Sequence, residues 1–134
     1  MDVDKITLFG ALKKRLSWLT QRQEILSENI ANSDTPKYRA KDIEPFKFRD
    51  VLREQQIGQV NMERTNPLHL EGIRHRVTDF RTEVESKPWE TAPNGNAVVL
   101  EEQMAKLNET QVKHKLTAEL YKKQLAMLRM AIGK

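Results

Sequence analysis

Two long heptad seams, one at each end of the chain, constrain its fold more than any other feature. From Phe9 the positions Phe9, Leu12, Leu16, Leu19, Gln23, Leu26 and Ile30 step alternately by three and four residues, with Gln23 the polar member. From Leu100 the run Leu100, Met104, Leu107, Gln111, His114, Ala118, Tyr121, Leu125, Leu128 and Ile132 steps by four and three. A mean spacing of about 3.5 residues places such side chains on one stripe of a helix. A helix in water draws most of its stability from packing that stripe against a partner. The spacing therefore predicts a mainly α protein. Its long N- and C-terminal helices pair as a coiled-coil-like layer, and an irregular middle segment with short β structure separates them.

The boundaries follow from local chemistry. Residues 1–32 form the N-terminal unit, with a helix over roughly 5–32, about 42 Å long at ~1.5 Å per residue. Asp2 or Asp4 can cap its start. Pro36 disfavours helix at Thr35 and sets the stop near Asn32 to Asp34. Residues 97–134 form the C-terminal unit. Asn94-Gly95-Asn96 supplies a turn and an N-cap, Glu101 and Glu102 lie in the positive first turn, and Gly133 ends the helix. Residues 33–96 hold all five prolines and read as loops and short strands. A short helix is expected around Arg49 to Gln56. Brief alternations occur at Phe46-Lys47-Phe48 and Val77-Thr78-Asp79-Phe80.

The composition is explained by this segregation. Only 38% of the 134 residues are hydrophobic and 6% aromatic, against 31% charged, with a mean hydropathy of −0.69. The apolar residues are concentrated at the ends. Each helix also carries apolar positions beside its seam: Leu8, Trp18 and Ile25 on the first, Val112, Leu116, Leu120 and Met127 on the second. Stripes this wide exceed what one two-helix seam covers. They predict further partners, most simply copies of the same chain or its relatives.

Little in the sequence points to chemistry. The net charge of +4 splits as +1 over residues 1–32, zero over 33–96 and +3 over 97–134. No basic run marks a nucleic-acid site. There is no cysteine, hence no disulfide, thiolate metal site or Cys nucleophile. His69, His75 and His114 lack metal-ligand spacing, and the five glycines form no phosphate-cradling loop. Asn108-Glu109-Thr110 fits a glycosylation pattern but falls mid-helix. Gln23, Gln111 and His114 suit register devices. Trp18 suits packing against a neighbouring helix, and Trp89 a loop anchor. No enzyme, cofactor or small-molecule substrate is expected. No apolar run approaches a membrane span of ~18 residues, and Met1 to Gly10 lacks signal-peptide character. On these residues alone, a polymerising subunit, a non-polymerising helical adaptor and a basic DNA-binding helical protein all stay open.

The segment Glu28-Asn29-Ile30-Ala31-Asn32-Ser33-Asp34-Thr35-Pro36-Lys37-Tyr38-Arg39-Ala40 resembles the N-terminal signature of the bacterial flagellar axial proteins, the rod and hook family. Their pattern is an amphipathic helix ending in Asn-Ile-Ala-Asn, two variable residues, then Thr-Pro-Gly-Tyr. Lys37 stands where the family usually has Gly. The C-terminal seam is similar to the family's second signature, with Val99, Thr110 and His114 in place of an expected Asp, Asn and Tyr. The short length and Thr65-Asn66-Pro67-Leu68-His69-Leu70 resemble the short proximal-rod members, or another export-associated flagellar protein of that size.

The resemblance implies a structural subunit that stacks helically into a hollow shaft. Such a shaft transmits torque from the membrane ring to the hook and passes export substrates. It implies contacts with copies of itself, other rod proteins and the membrane-ring and export-gate proteins. It also implies a periplasmic place in the basal body after export without a cleaved signal. The expected assembly seam is Phe9, Leu12, Leu16, Leu19, Leu26 and Ile30 with Leu100, Met104, Leu107, Tyr121, Leu125, Leu128 and Ile132, within and between subunits. The motif loop of Ala31, Asn32, Thr35, Pro36 and Tyr38 would turn the chain out of the helical layer.

Overall fold

The computed structural model describes residues 7–51, 80–88 and 90–133. Asp2 and Asp4, the segment from Thr65 to Leu70, His75 and Trp89 lie outside them. Four elements follow in order: helix α1 (Thr7–Ala31), strand β1 (Lys41–Ile43), strand β2 (Thr82–Val84) and helix α2 (Leu100–Ile132). The two long helices stand where the seams predict them. Residues 48–51 are helical, at the start of the short helix expected there.

The helices run antiparallel. Asn29 meets Gln103, Thr20 meets His114 and Phe9 meets Tyr121, so numbers rise along α1 as they fall along α2. The Phe9 and Tyr121 rings pack edge to face with centroids 5.6 Å apart, a favoured aromatic geometry. Phe9, Leu12, Leu19 and Leu26 are buried on one stripe of α1, as their spacing requires.

A second stripe of α1 holds Ala11, Trp18 and Ile25, seven residues apart and buried. It carries a small core in which Trp18, Leu19, Ile25 and Ile43 cluster, flanked by Phe46 and Phe80. Trp18 donates its indole N–H to the Glu44 carbonyl at 2.8 Å, which satisfies the polar end of a buried ring. The strand β1 lies beside the expected alternation at Phe46-Lys47-Phe48 rather than on it, and Val77 to Asp79 of the second lie outside the described residues. Phe46 and Phe80 serve as core side chains packed ring to ring, 6.4 Å apart, while β1 and β2 pair at Lys41↔Val84, Asp42↔Glu83 and Ile43↔Thr82. Arg22 grips Asp42 with two bonds of 3.0 and 2.9 Å, tying this ribbon to α1.

The start of α2 differs from expectation. Its N-cap is Val99, which offers no side-chain bond. Asn96 has been diverted: its amide donates to the Asn32 and Thr35 carbonyls, closing the end of α1. Its oxygen accepts from Val98 N–H. The C-terminus follows expectation. Gly133 takes the left-handed conformation at φ 75° and its N–H returns to Met130 O, a common helix stop.

Candidate assembly surface

The buried stripe of α2 is not the one that counting apolar residues predicts. Gln103, Thr110 and Thr117 are buried, spaced by sevens, and Leu107, His114, Tyr121 and Leu128 are half-buried along the same face. The expected seam shares Leu107, His114, Tyr121 and Leu128. At the alternate positions the helix has turned by one residue, facing 103, 110 and 117 inward in place of Met104, Gln111 and Ala118. The reason is satisfaction of polar groups. Thr110 and Thr117 hydroxyls each donate to the carbonyl four residues back, Lys106 and Lys113, at 2.7 Å. They need no partner across the interface and can be buried without the usual desolvation penalty.

The large apolar side chains thereby point outward. Within a single chain Leu100, Met104 and Ile132 are exposed. The helix α1 of the same chain thus leaves them uncovered. Leu16, Ile30 and Leu125 are half-buried. On the far side of α2, Val112 (67% exposed), Leu116 (66%), Leu120, Met127 and Met130 form a stripe open to water. Salt links along this helix join Lys106 to Glu102 and Lys113 to Glu109. The Lys113 hydrogen bond holds the Glu109 carboxyl below its ordinary range.

The motif loop shows why its residue types are needed. Asn29 is fully buried and uses all four bonding positions. Its amide donates to Lys41 O at 2.7 Å and Gln103 Oε1 at 2.9 Å. Its oxygen accepts from Lys41 N–H at 3.0 Å and the Tyr38 hydroxyl at 3.3 Å. The Lys41 backbone pair faces away from β2, so the Asn29 amide replaces a third strand. Asn32 donates to Glu28 O and accepts from Thr35 Oγ1, closing the turn, while Ala31 and Pro36 are exposed. Lys37 adopts φ 60° and packs against Gly95, where an added Cβ would come within 3.3 Å of Lys37 Cγ. The backbone at 37 is thus of the kind glycine favours.

Around Asn29, the Lys41 ammonium lies 3.0 Å from Glu28. The Glu28 hydrogen bond raises the Lys41 pKa, and burial followed by the Glu28 charge raises that of Tyr38. Both groups therefore keep their protons through neutral pH. On the alkaline side, the Lys41–Glu28 pair is lost as pH rises through the raised Lys41 value.

Asn29 and Gln103 are polar, so a seam defined by apolar residues does not point to them. Replacing Asn29 with Ala removes the partner of the Lys41 carbonyl, the Lys41 N–H and the Gln103 side-chain oxygen. The expected loss is about 3 kcal/mol of stability, from ~1–3 kcal/mol per buried group left unsatisfied. Chemical unfolding followed by circular dichroism measures it; an unchanged midpoint would remove Asn29 from its anchoring role.

Comparison with known proteins fits this geometry. The model of the family described as "Flagella basal body rod protein" matches residues 12–39, most of α1 together with the motif loop. The flagellar basal body rod protein FlgB of Agrobacterium fabrum is 36% identical over 98% of this chain and 96% of its own length. FlgB of Salmonella typhimurium is 28% identical over 84% of this chain and 83% of its own. FlgB of Yersinia enterocolitica is 55% identical over 28% of this chain and 29% of its own.

Proposed function

Because the chain belongs to the FlgB family of flagellar basal body rod proteins, we propose that its antiparallel helix pair is the repeating unit of a helical shaft. The chain is a structural subunit of the flagellar basal body rod, and the basal body is its location. The family is structural rather than enzymatic. No helix among the described residues is long and apolar enough to cross a membrane.

One observation supports the assembly reading above others. The helix α2 buries Gln103, Thr110 and Thr117 while Val112, Leu116, Leu120, Met127 and Met130 stay exposed. A self-sufficient helix pair does the reverse. In the proposed shaft, Phe9, Leu12, Leu19 and Leu26 hold α1 to α2 within the subunit. Leu100, Met104, Val112, Leu116, Leu120 and Ile132 are covered by neighbours. Residues 1–32 and 97–134 make the axial layer, and 33–96 is the irregular middle segment between them.

The neighbours are copies of this chain and other rod proteins, with membrane-ring and export-gate proteins at the base. The shaft lies in the periplasm, carries torque towards the hook and passes export substrates through its lumen. The subunit itself leaves the cell interior by the flagellar export route, without a cleaved signal.

Deleting the gene and extracting hook–basal bodies with detergent tests the function. The deletion strain is expected to lack rods and not to swim, and a complemented strain to carry the chain in its extracted basal bodies. Normal rods in the deletion strain would rule the reading out. A chain that stays soluble while supporting motility would instead be a non-polymerising adaptor.

A further inference from the structure

A cleft of about 360 Å³ opens where α1, the β ribbon and α2 meet. Its walls are Trp18, Pro45 and Phe48, and Arg15, Arg22 and Lys113 line it with a single carboxylate, Asp42. Asp42 is already held by Arg22, and Lys113 is itself paired with Glu109. Arg15 is exposed and has no ion-pair partner among the described residues. Phe48 is 43% exposed. The cleft is therefore apolar in its walls and positive at its rim, the chemistry that accepts an apolar side chain carried beside a carboxylate.

We propose that this cleft receives the first turn of α2 from a second copy of the chain. This rests on the reading that the chain assembles into the rod. Leu100 and Met104 lie one turn apart on that helix, so they share a face, and both are exposed. Glu101 beside them is exposed and unpaired among the described residues, whereas Glu102 is engaged by Lys106. Two apolar anchors next to a free carboxylate complement the cleft in both shape class and charge.

The other exposed apolar groups fit it worse. The outer stripe of α2 is interleaved with Lys115, Lys122, Lys123 and Arg129 against one carboxylate, Glu119, so its net charge has the same sign as the cleft. The strand β2 offers one apolar side chain, Val84, between Glu83 and Glu85. The turn and the cleft are different patches. Met104 and Lys113 are nine residues apart on α2, about 14 Å along its axis. Docking one into the other is thus heterologous, and such a contact propagates from subunit to subunit instead of closing a pair.

The chain has no cysteine, which permits a direct test. The double variant Phe48→Cys with Met104→Cys is expressed in place of the native chain, and extracted hook–basal bodies are oxidised. Both positions are exposed, so helical circular dichroism is expected to persist. The expected result is a covalent dimer of the chain in the double variant and none in either single variant.

In parallel, Arg15→Glu is expected to lower incorporation into basal bodies roughly tenfold, and adding Glu101→Arg to restore it. Absence of a dimer while the double variant is present in basal bodies overturns the proposal. So does a cross-link to a different basal-body protein, or rescue of Arg15→Glu by Glu83→Arg and not by Glu101→Arg. Absence of the unsubstituted chain from basal bodies would overturn the rod reading itself, and the docking with it.

Discussion

Replacing Leu19 with Asp is expected to separate α1 from α2 and leave the purified chain without cooperative unfolding. Leu19 has no exposed surface, and it belongs both to the stripe that faces α2 and to the cluster around Trp18. Truncating a buried leucine typically costs about 2–5 kcal/mol. A carboxylate in the same place adds the cost of an unpaired charge, because the groups clustered with it are apolar: Trp18, Ile25 and Ile43. The total reaches the lower part of the ~5–15 kcal/mol that stabilises a typical domain, and a chain with a core this small sits at the low end.

Circular dichroism on heating is the measurement. A sharp transition near that of the native chain would show that the inner seam does not hold the helices together. Loss of swimming is expected to accompany the loss of fold, since a subunit without paired helices has no layer to stack.

The reason Leu19 could be chosen from sequence, and Gln103 could not, lies in what a hydrophobic pattern records. On α1 the pattern and the packing agree: Phe9, Leu12, Leu19 and Leu26 are buried at the steps that the heptad sets. Pro36 and Gly133 mark helix ends through backbone restrictions that any sequence displays. On α2 the agreement fails at alternate positions. A threonine that bonds its own helix is as easily buried as an alanine, yet an apolar count treats it as a surface residue.

Asn29 was hidden for a related reason, since an asparagine near a helix end suggests a cap or a solvated face. Its position did carry a signal. It falls four residues after Ile25, on the stripe of Ala11 and Trp18, so an inward-facing amide was there to be noticed. The strands were harder still. Three residues each, they are fixed by Asn29 on one side and by the pairing with each other, not by any alternation of their own.

Replacing Leu116 with Asp is expected to do the opposite of Leu19→Asp: the isolated chain folds as before and the rod fails to form. Leu116 is 66% exposed at the centre of the outward stripe, between Val112 and Leu120 at four-residue spacing. Within one subunit the substitution removes little contact. The only intrinsic cost is the lower helix preference of Asp, a few tenths of a kcal/mol.

In an assembled layer the same position meets a neighbour. Each apolar side chain covered there contributes about 1.5–3 kcal/mol, and a carboxylate reverses the sign of that contribution. Every subunit repeats the loss, so the effect on assembly is expected to be complete while the unfolding curve stays within ~0.5 kcal/mol of native. Thermal unfolding and soft-agar swimming, run on the same variant, read the two consequences separately. Normal swimming by Leu116→Asp would show that the outward stripe is not a subunit interface. Together the two variants assign opposite faces of the helical layer to folding and to assembly, because only the inner one changes the isolated chain.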